Sequence, residues 1–130
     1  FKVDNAATVT GLEVMVYNTA GTYPADSIDI SSLGKVIFTA PMSGTYQGIN
    51  FFQDRSLTKT LTITSVGSVA IAGVVYAAQG PVNLTDSAAV GVNILGGAYV
   101  CDSMQIQGLG NISIDLGLNR PRVPEVHLVE

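Results

Sequence analysis

Charge is scarce in this chain. Asp, Glu, Lys and Arg make up 12 % of its 130 residues, about half the ~25 % usual for a globular domain. Apolar residues make up 47 %, which excludes a disordered tail, because disorder needs the opposite balance. Surface helices lean on Lys, Glu and Arg, so the same shortage argues against a helix-rich fold. Six basic residues stand against ten acidic ones, a net charge of −4, so nucleic acid is not an expected partner. One Cys permits no internal disulfide, and one His with no Trp leaves few groups for metal or acid–base chemistry. No apolar run reaches the ~18 residues that would suggest a membrane span, so membrane insertion by this fragment is not expected. The longest run, Val69 to Ala78, is short and interrupted by Gly73. No signal-peptide pattern opens the sequence. It starts at Phe1, directly in a Lys-Val-Asp pattern, which reads as a processed or trimmed piece of a longer polypeptide with any export signal or anchor upstream. The length fits one domain, 1–130.

What is present is alternation. Apolar and polar residues take turns at Ser27–Ile30, Leu61–Thr64, Val82–Thr85, Met104–Gln107 and Asn111–Ile114, the period of a half-buried strand. Thr, Val and Ile dominate these runs and favour a pleated backbone. The Ala-rich stretch from Asp86 to Val92 is too short to hold a helix by itself and contains Gly91.

The alternating runs recur as a unit of three short strands joined at small or polar residues. The clearest copy runs from Leu61 to Ala78; others begin at Val82 and Met104, and looser ones at Phe1 and Ile28. Residues 39–47, Thr-Ala-Pro-Met-Ser-Gly-Thr-Tyr-Gln, lengthen the Ile28 copy and read as an inserted loop. Hairpin sandwiches favour Asn-Gly or Asp-Gly turns, and neither dipeptide occurs here. A unit of about twenty residues with three strands suits one coil of a parallel β-helix instead. The fold expected is therefore all-β, a single-stranded parallel β-helix of about five short coils. The absence of a six-residue repeat points to the right-handed form. Inward side chains should form ladders, with Ile63, Leu84 and Ile106 in one, and Ile71 and Ile114 in another. Gly48, Gly73 and Gly96 each stand three residues before Phe51, Tyr76 and Tyr99, which predicts an aromatic stacking ladder. The tail 119–130, with Pro121 and Pro124 and the short strand Val126–Val129, is expected to fold over the last coil, since open strand edges need cover.

Several stretches carry a resemblance. They are Thr10-Gly11-Leu12-Glu13-Val14-Met15-Val16-Tyr17-Asn18, the block from Pro41 through Tyr46-Gln47-Gly48 to Phe52-Gln53-Asp54-Arg55, Ala72-Gly73-Val74-Val75-Tyr76-Ala77, and the terminal Val126-His127-Leu128-Val129-Glu130. Across nearly its whole length the chain resembles the C-terminal repeat domain of bacterial Tad/Flp-type pilus-assembly (TadE/TadG-like) proteins. The Tyr-Gln-Gly to Phe-Gln-Asp-Arg block is its most specific part. The resemblance implies a surface or envelope protein, and it supplies no catalytic residues to carry over.

Among the charged residues, Asp54-Arg55 stands out. The pair reads as a strand-ending corner, with Asp54 capping backbone N–H groups and Arg55 covering the coil edge. It also reads as a carboxylate and a guanidinium offered to a sugar or anion. Polysaccharide-cleaving chemistry needs clustered carboxylates. The acids here are scattered, and only the coils would unite Asp54 with Asp102, or Asp26 with Asp86. Cys101 reads as a small half-buried thiol and His127 as a solvated strand residue. Arg120 and Arg122 belong to a solvated tail, and Gly96-Gly97 is no phosphate loop because no Lys-Ser or Lys-Thr follows. No metal, cofactor or catalytic group is expected.

The function expected is a non-enzymatic structural or adhesive module of a bacterial cell-surface or pilus-associated protein. It would sit at the cell surface or outside the cell, with end-to-end coil stacking as a route to homo-oligomers and surface proteins or glycans as further partners. The alternative is a carbohydrate-binding or polysaccharide-cleaving β-helix.

Overall fold

In the computed structural model, which describes residues 1–19, 27–87, 92–95, 97–109 and 111–114, every strand pairing is parallel. The first unit contains β1 (Lys2–Asn5), β2 (Val9–Gly11) and β3 (Val16–Asn18). The second contains β4 (Asp29–Ser32), β5 (Lys35–Thr39) and β6 (Ile49–Gln53), and the third β7 (Leu61–Ser65), β8 (Ser68–Ala72) and β9 (Val74–Ala77). β10 (Val82–Asp86), β11 (Val92–Leu95) and β12 (Ala98–Cys101) follow, then β13 (Met104–Gly108) and β14 (Asn111–Ser113). No helix occurs among the described residues. Successive strands pass in turn to three sheets, ordered β1-β4-β7-β10-β13, β14-β11-β8-β5-β2 and β12-β9-β6-β3. The chain is thus all-β, with repeated parallel strands.

Register in the first sheet follows the alternation. Val82 lies opposite both Leu61 and Met104, and Asp29 opposite Lys2 and Thr62, so the repeat starts read from the sequence are in step. One inward column runs Val3, Ile30, Ile63, Leu84, Ile106. Its middle three members are completely buried, while Ile106, on the edge strand, is 51 % exposed. Each fully buried aliphatic side chain contributes about 1.5–3 kcal/mol from removal of its surface from water. The second sheet adds Val9, Val36 and Val69 in one column and pairs Phe38 with Ile71. Ile71 also lies opposite Leu95. Ser113 lies opposite Ile94, so Ile114, just beyond β14 and 43 % exposed, follows in step with Leu95 and Ile71. At the N-terminal end of the core, Phe38 and Phe51 meet edge to face at 5.5 Å, and the Phe1 ring lies 5.9 and 6.4 Å from them.

The corners differ in kind. Between the first two sheets the chain turns at Leu33-Gly34 and again at Val66-Gly67, and these corners stack. Between β8 and β9 a single residue, Gly73, makes the turn at φ +145, a conformation that favours glycine. A Cβ there would lie 2.6 Å from the Ala40 Cβ. Between β5 and β6 the chain instead leaves the sheets over residues 40–48. The neck of this excursion is closed by the Gly48 N–H donating to the Pro41 carbonyl (2.8 Å).

The expected ladder of Phe51, Tyr76 and Tyr99 divides in two. Phe51 lies opposite Val75, and Val75 opposite Tyr99, on the inner face; Tyr76 lies opposite Phe52 and Val100, on the outer face. Two local features cause this. The pairing shifts by one residue between Ile49 and Phe51, so β6 holds an extra residue, Asn50, whose buried side chain donates through Nδ2 to the Val14 carbonyl (2.8 Å). The corner glycine equivalent to Gly73 is also Gly97, whose N–H donates to the Gly73 carbonyl (2.7 Å); Gly96 is outside the described residues. The tail 119–130 with Arg120, Arg122 and His127, the acids Asp26, Asp115, Glu125 and Glu130, and residues 88–91 of the Ala-rich stretch lie outside them as well.

Candidate functional site

Three strands of the third sheet carry the same two-residue pattern: Val16-Tyr17, Phe51-Phe52 and Val75-Tyr76. In a strand, neighbours point to opposite faces. Register puts the first member of each pair inward and aligns Tyr17, Phe52 and Tyr76 on the outer face. Parallel strands lie about 4.8 Å apart, close to the preferred spacing of offset aromatic rings. Phe52 and Tyr76 stack at 4.7 Å with 8° between their planes. Tyr17 meets Phe52 edge to face at 5.1 Å and 80°. Tyr46, from the 40–48 excursion, approaches the same ring at 6.4 Å and 63°. Tyr17 and Tyr46 remain 47 % and 45 % exposed.

The polar groups stand where β6 ends. Asp54 Oδ1 accepts from the Ser56 N–H (2.8 Å) and from its hydroxyl (2.7 Å), and the Leu57 N–H donates to the Asp54 carbonyl (3.0 Å). This is the expected strand-ending corner, in which a carboxylate satisfies a nearby backbone donor. Asp54 Oδ2 accepts a longer bond from the Tyr17 hydroxyl (3.3 Å). Arg55 reaches the next strand, where its Nε–H donates to the Tyr76 hydroxyl (2.8 Å) and its guanidinium carbon lies 5.7 Å from the Tyr76 ring centroid, within cation–π range. Gln53, fully buried, pins the turn beneath: its Nε2 donates to the Lys59 carbonyl (2.7 Å) and at 3.3 Å to that of Leu57.

The Ser56 N–H holds the Asp54 carboxyl below the usual carboxylate range; the Ser56 and Tyr17 hydroxyls add to this, and partial burial opposes it. Tyr17 is shifted upward, first by burial, then by the charge and hydrogen bond of Asp54 and by Tyr46. The Asp54 carboxyl is therefore favoured in its ionised form and the Tyr17 phenol in its neutral form. The site can accept and donate hydrogen bonds and offer ring faces.

Asp54 and Arg55 thus lie beside the outer ring row that contains Tyr76, whereas Phe51 and Tyr99 are on the opposite face of the same sheet. Asp54 and Asp102 follow β6 and β12, with β9 between, so they form no adjacent pair. Asp86 is completely buried at the end of β10, opposite Ser65 and Gly108. Cys101 is half-buried, and burial, then the Asp102 charge, pushes its thiol up. Sequence reasoning missed Tyr17, Tyr46 and Phe52 as site residues. The recurring apolar-aromatic dipeptide would have revealed two of them. Tyr46 has no such signal, because it arrives from outside the strands. Comparison with protein-family models, curated proteins and solved structures finds no match.

Proposed function

We propose that the chain is a right-handed parallel β-helix serving as a non-enzymatic structural or adhesive module of a bacterial cell-surface or pilus-associated protein, akin to the TadE/TadG-like repeat domain it resembles. The observation that carries this reading is the outward row Tyr17–Phe52–Tyr76, held in register by three parallel strands. A row of rings fixed by backbone pairing is a rigid contact surface, and contact through it loses little side-chain freedom. The strands that end each sheet, β1, β2 and β3 at one end and β12, β13 and β14 at the other, suit end-to-end stacking of copies.

Beads coated with the purified chain test the adhesive reading on isolated bacterial envelopes. Attachment should fall about tenfold with Tyr17→Ala plus Tyr46→Ala, as for loss of contact hot spots. Equal attachment by the native and the heat-unfolded chain would overturn it. Sedimentation across a wide concentration range tests stacking, and a strictly monomeric chain at the highest concentration would remove that element.

A further inference from the structure

We infer that the outer face around Tyr17, Tyr46, Asp54 and Arg55 is a carbohydrate site, taking an uncharged pyranose ring against a tyrosine face; this rests on the adhesive reading above. The ring geometry is the first support. Phe52 and Tyr76 are stacked on each other, so each covers a face of the other. Tyr17 and Tyr46 are steeply inclined to Phe52, at 80° and 63°. An edge-to-face contact occupies at most one face of one ring. Each tyrosine therefore keeps a ring face clear of Phe52, and both are nearly half exposed. A pyranose presents a flat patch of C–H groups with hydroxyls around its rim, so it can lie on an aromatic face while its rim meets polar groups.

Those groups are in place. Asp54 Oδ1 is fully used by the two Ser56 donors, which fixes the carboxylate's orientation. Among the described residues Oδ2 has only the long 3.3 Å bond from Tyr17, and it retains capacity to accept from a sugar hydroxyl. The bond from Arg55 Nε to Tyr76 steadies the guanidinium and leaves its terminal amino groups as donors. The acceptor stands towards β3 and the donors towards β9, on either side of β6, so they can meet hydroxyls set apart along a bound sugar chain. Their charges also cancel, and the whole chain carries −4. The site is thus complementary to a neutral hexose rather than to an acidic polymer.

Native-gel affinity electrophoresis with soluble polysaccharides tests this, using an α-glucan, a β-glucan and a mannan as neutral probes and alginate and polygalacturonate as acidic ones. At least one neutral polymer should retard the chain, and the acidic ones should not. Tyr46→Ala, in an excursion outside the sheets, and Asp54→Asn, which keeps the side-chain shape, should each weaken retardation about tenfold, with circular dichroism unchanged. No retardation by any neutral polymer would overturn the inference, as would retardation that both variants leave intact. A dimer that Tyr46→Ala dissolves, without retardation, would overturn it in favour of self-association through this face. Periodate oxidation of the envelopes separates the two readings. If coated beads still attach to oxidised envelopes, adhesion stands and the carbohydrate inference fails; if they never attach to untreated envelopes, the adhesive reading fails, and the gels alone decide the sugar.

Discussion

Gly67 is pressed onto Gly34: a Cβ on Gly67 would stand 2.3 Å from the Gly34 carbonyl oxygen and 2.4 Å from that of Leu33. The obstructing atoms are backbone, so they cannot swing aside as the end of a side chain would. Gly67→Ala should therefore push the third unit off the second and cost about 1–3 kcal/mol, as overpacking does. Gly44→Ala is the comparison. Gly44 has φ +86 with nothing within 4 Å of a Cβ, so it loses only backbone preference, about 1 kcal/mol. Urea unfolding of both variants gives the order.

The inward column should show graded sensitivity along its length. Leu84 is completely buried between Ile63 and Ile106, so Leu84→Ala should cost about 2–5 kcal/mol through lost burial and the cavity left. Ile106→Ala, at a position already half in water, should cost much less. Equal shifts of the urea midpoint would show that the end rung is covered as well as the middle one.

Asp54 should titrate below an ordinary aspartate, and Ser56→Ala, which removes the hydroxyl but keeps the N–H, should raise its midpoint part of the way back. NMR detection of the carboxyl carbon reads this directly. A depressed carboxyl pKa stabilises the fold at pH values above the ordinary aspartate range. That contribution is lost as pH falls through the depressed value. The acid limb of the stability curve should therefore flatten in Asp54→Asn.

Cys101 should alkylate slowly while the chain is folded. Its thiol is pushed up by burial and then by Asp102, and only the thiolate reacts. Iodoacetamide at mildly alkaline pH should label the urea-unfolded chain faster than the folded one, and Asp102→Asn should speed labelling of the folded form.

How far this architecture can be read in advance depends on where the strands lie. In the first sheet, Leu61, Val82 and Met104 start alternating runs of equal length; the first two have one buried face, and a slip of one residue there would turn every apolar side chain to water. Their register was legible for that reason. The third sheet defeats the same logic twice. Asn50 is polar yet buried, so it hides the extra residue in β6; Gly96-Gly97 offers two candidate corners, and only hydrogen bonding to Gly73 selects the second. The turn at Asp54 was legible because an Asp followed by Ser two residues on is a local arrangement. The approach of Tyr46 to Phe52 was not, because it depends on how residues 40–48 return.

The excursion between Ala40 and Gly48 has its stems tied to the third unit: the Ala40 N–H donates to the Ala72 carbonyl (2.8 Å), and the Val74 N–H to the Gly48 carbonyl (2.7 Å). Its tip takes no part in those bonds. Length and composition between Met42 and Tyr46 can therefore change without disturbing the stack that holds the stems. This makes the tip a grafting point, where a foreign peptide or an altered specificity can be carried by an unmodified scaffold.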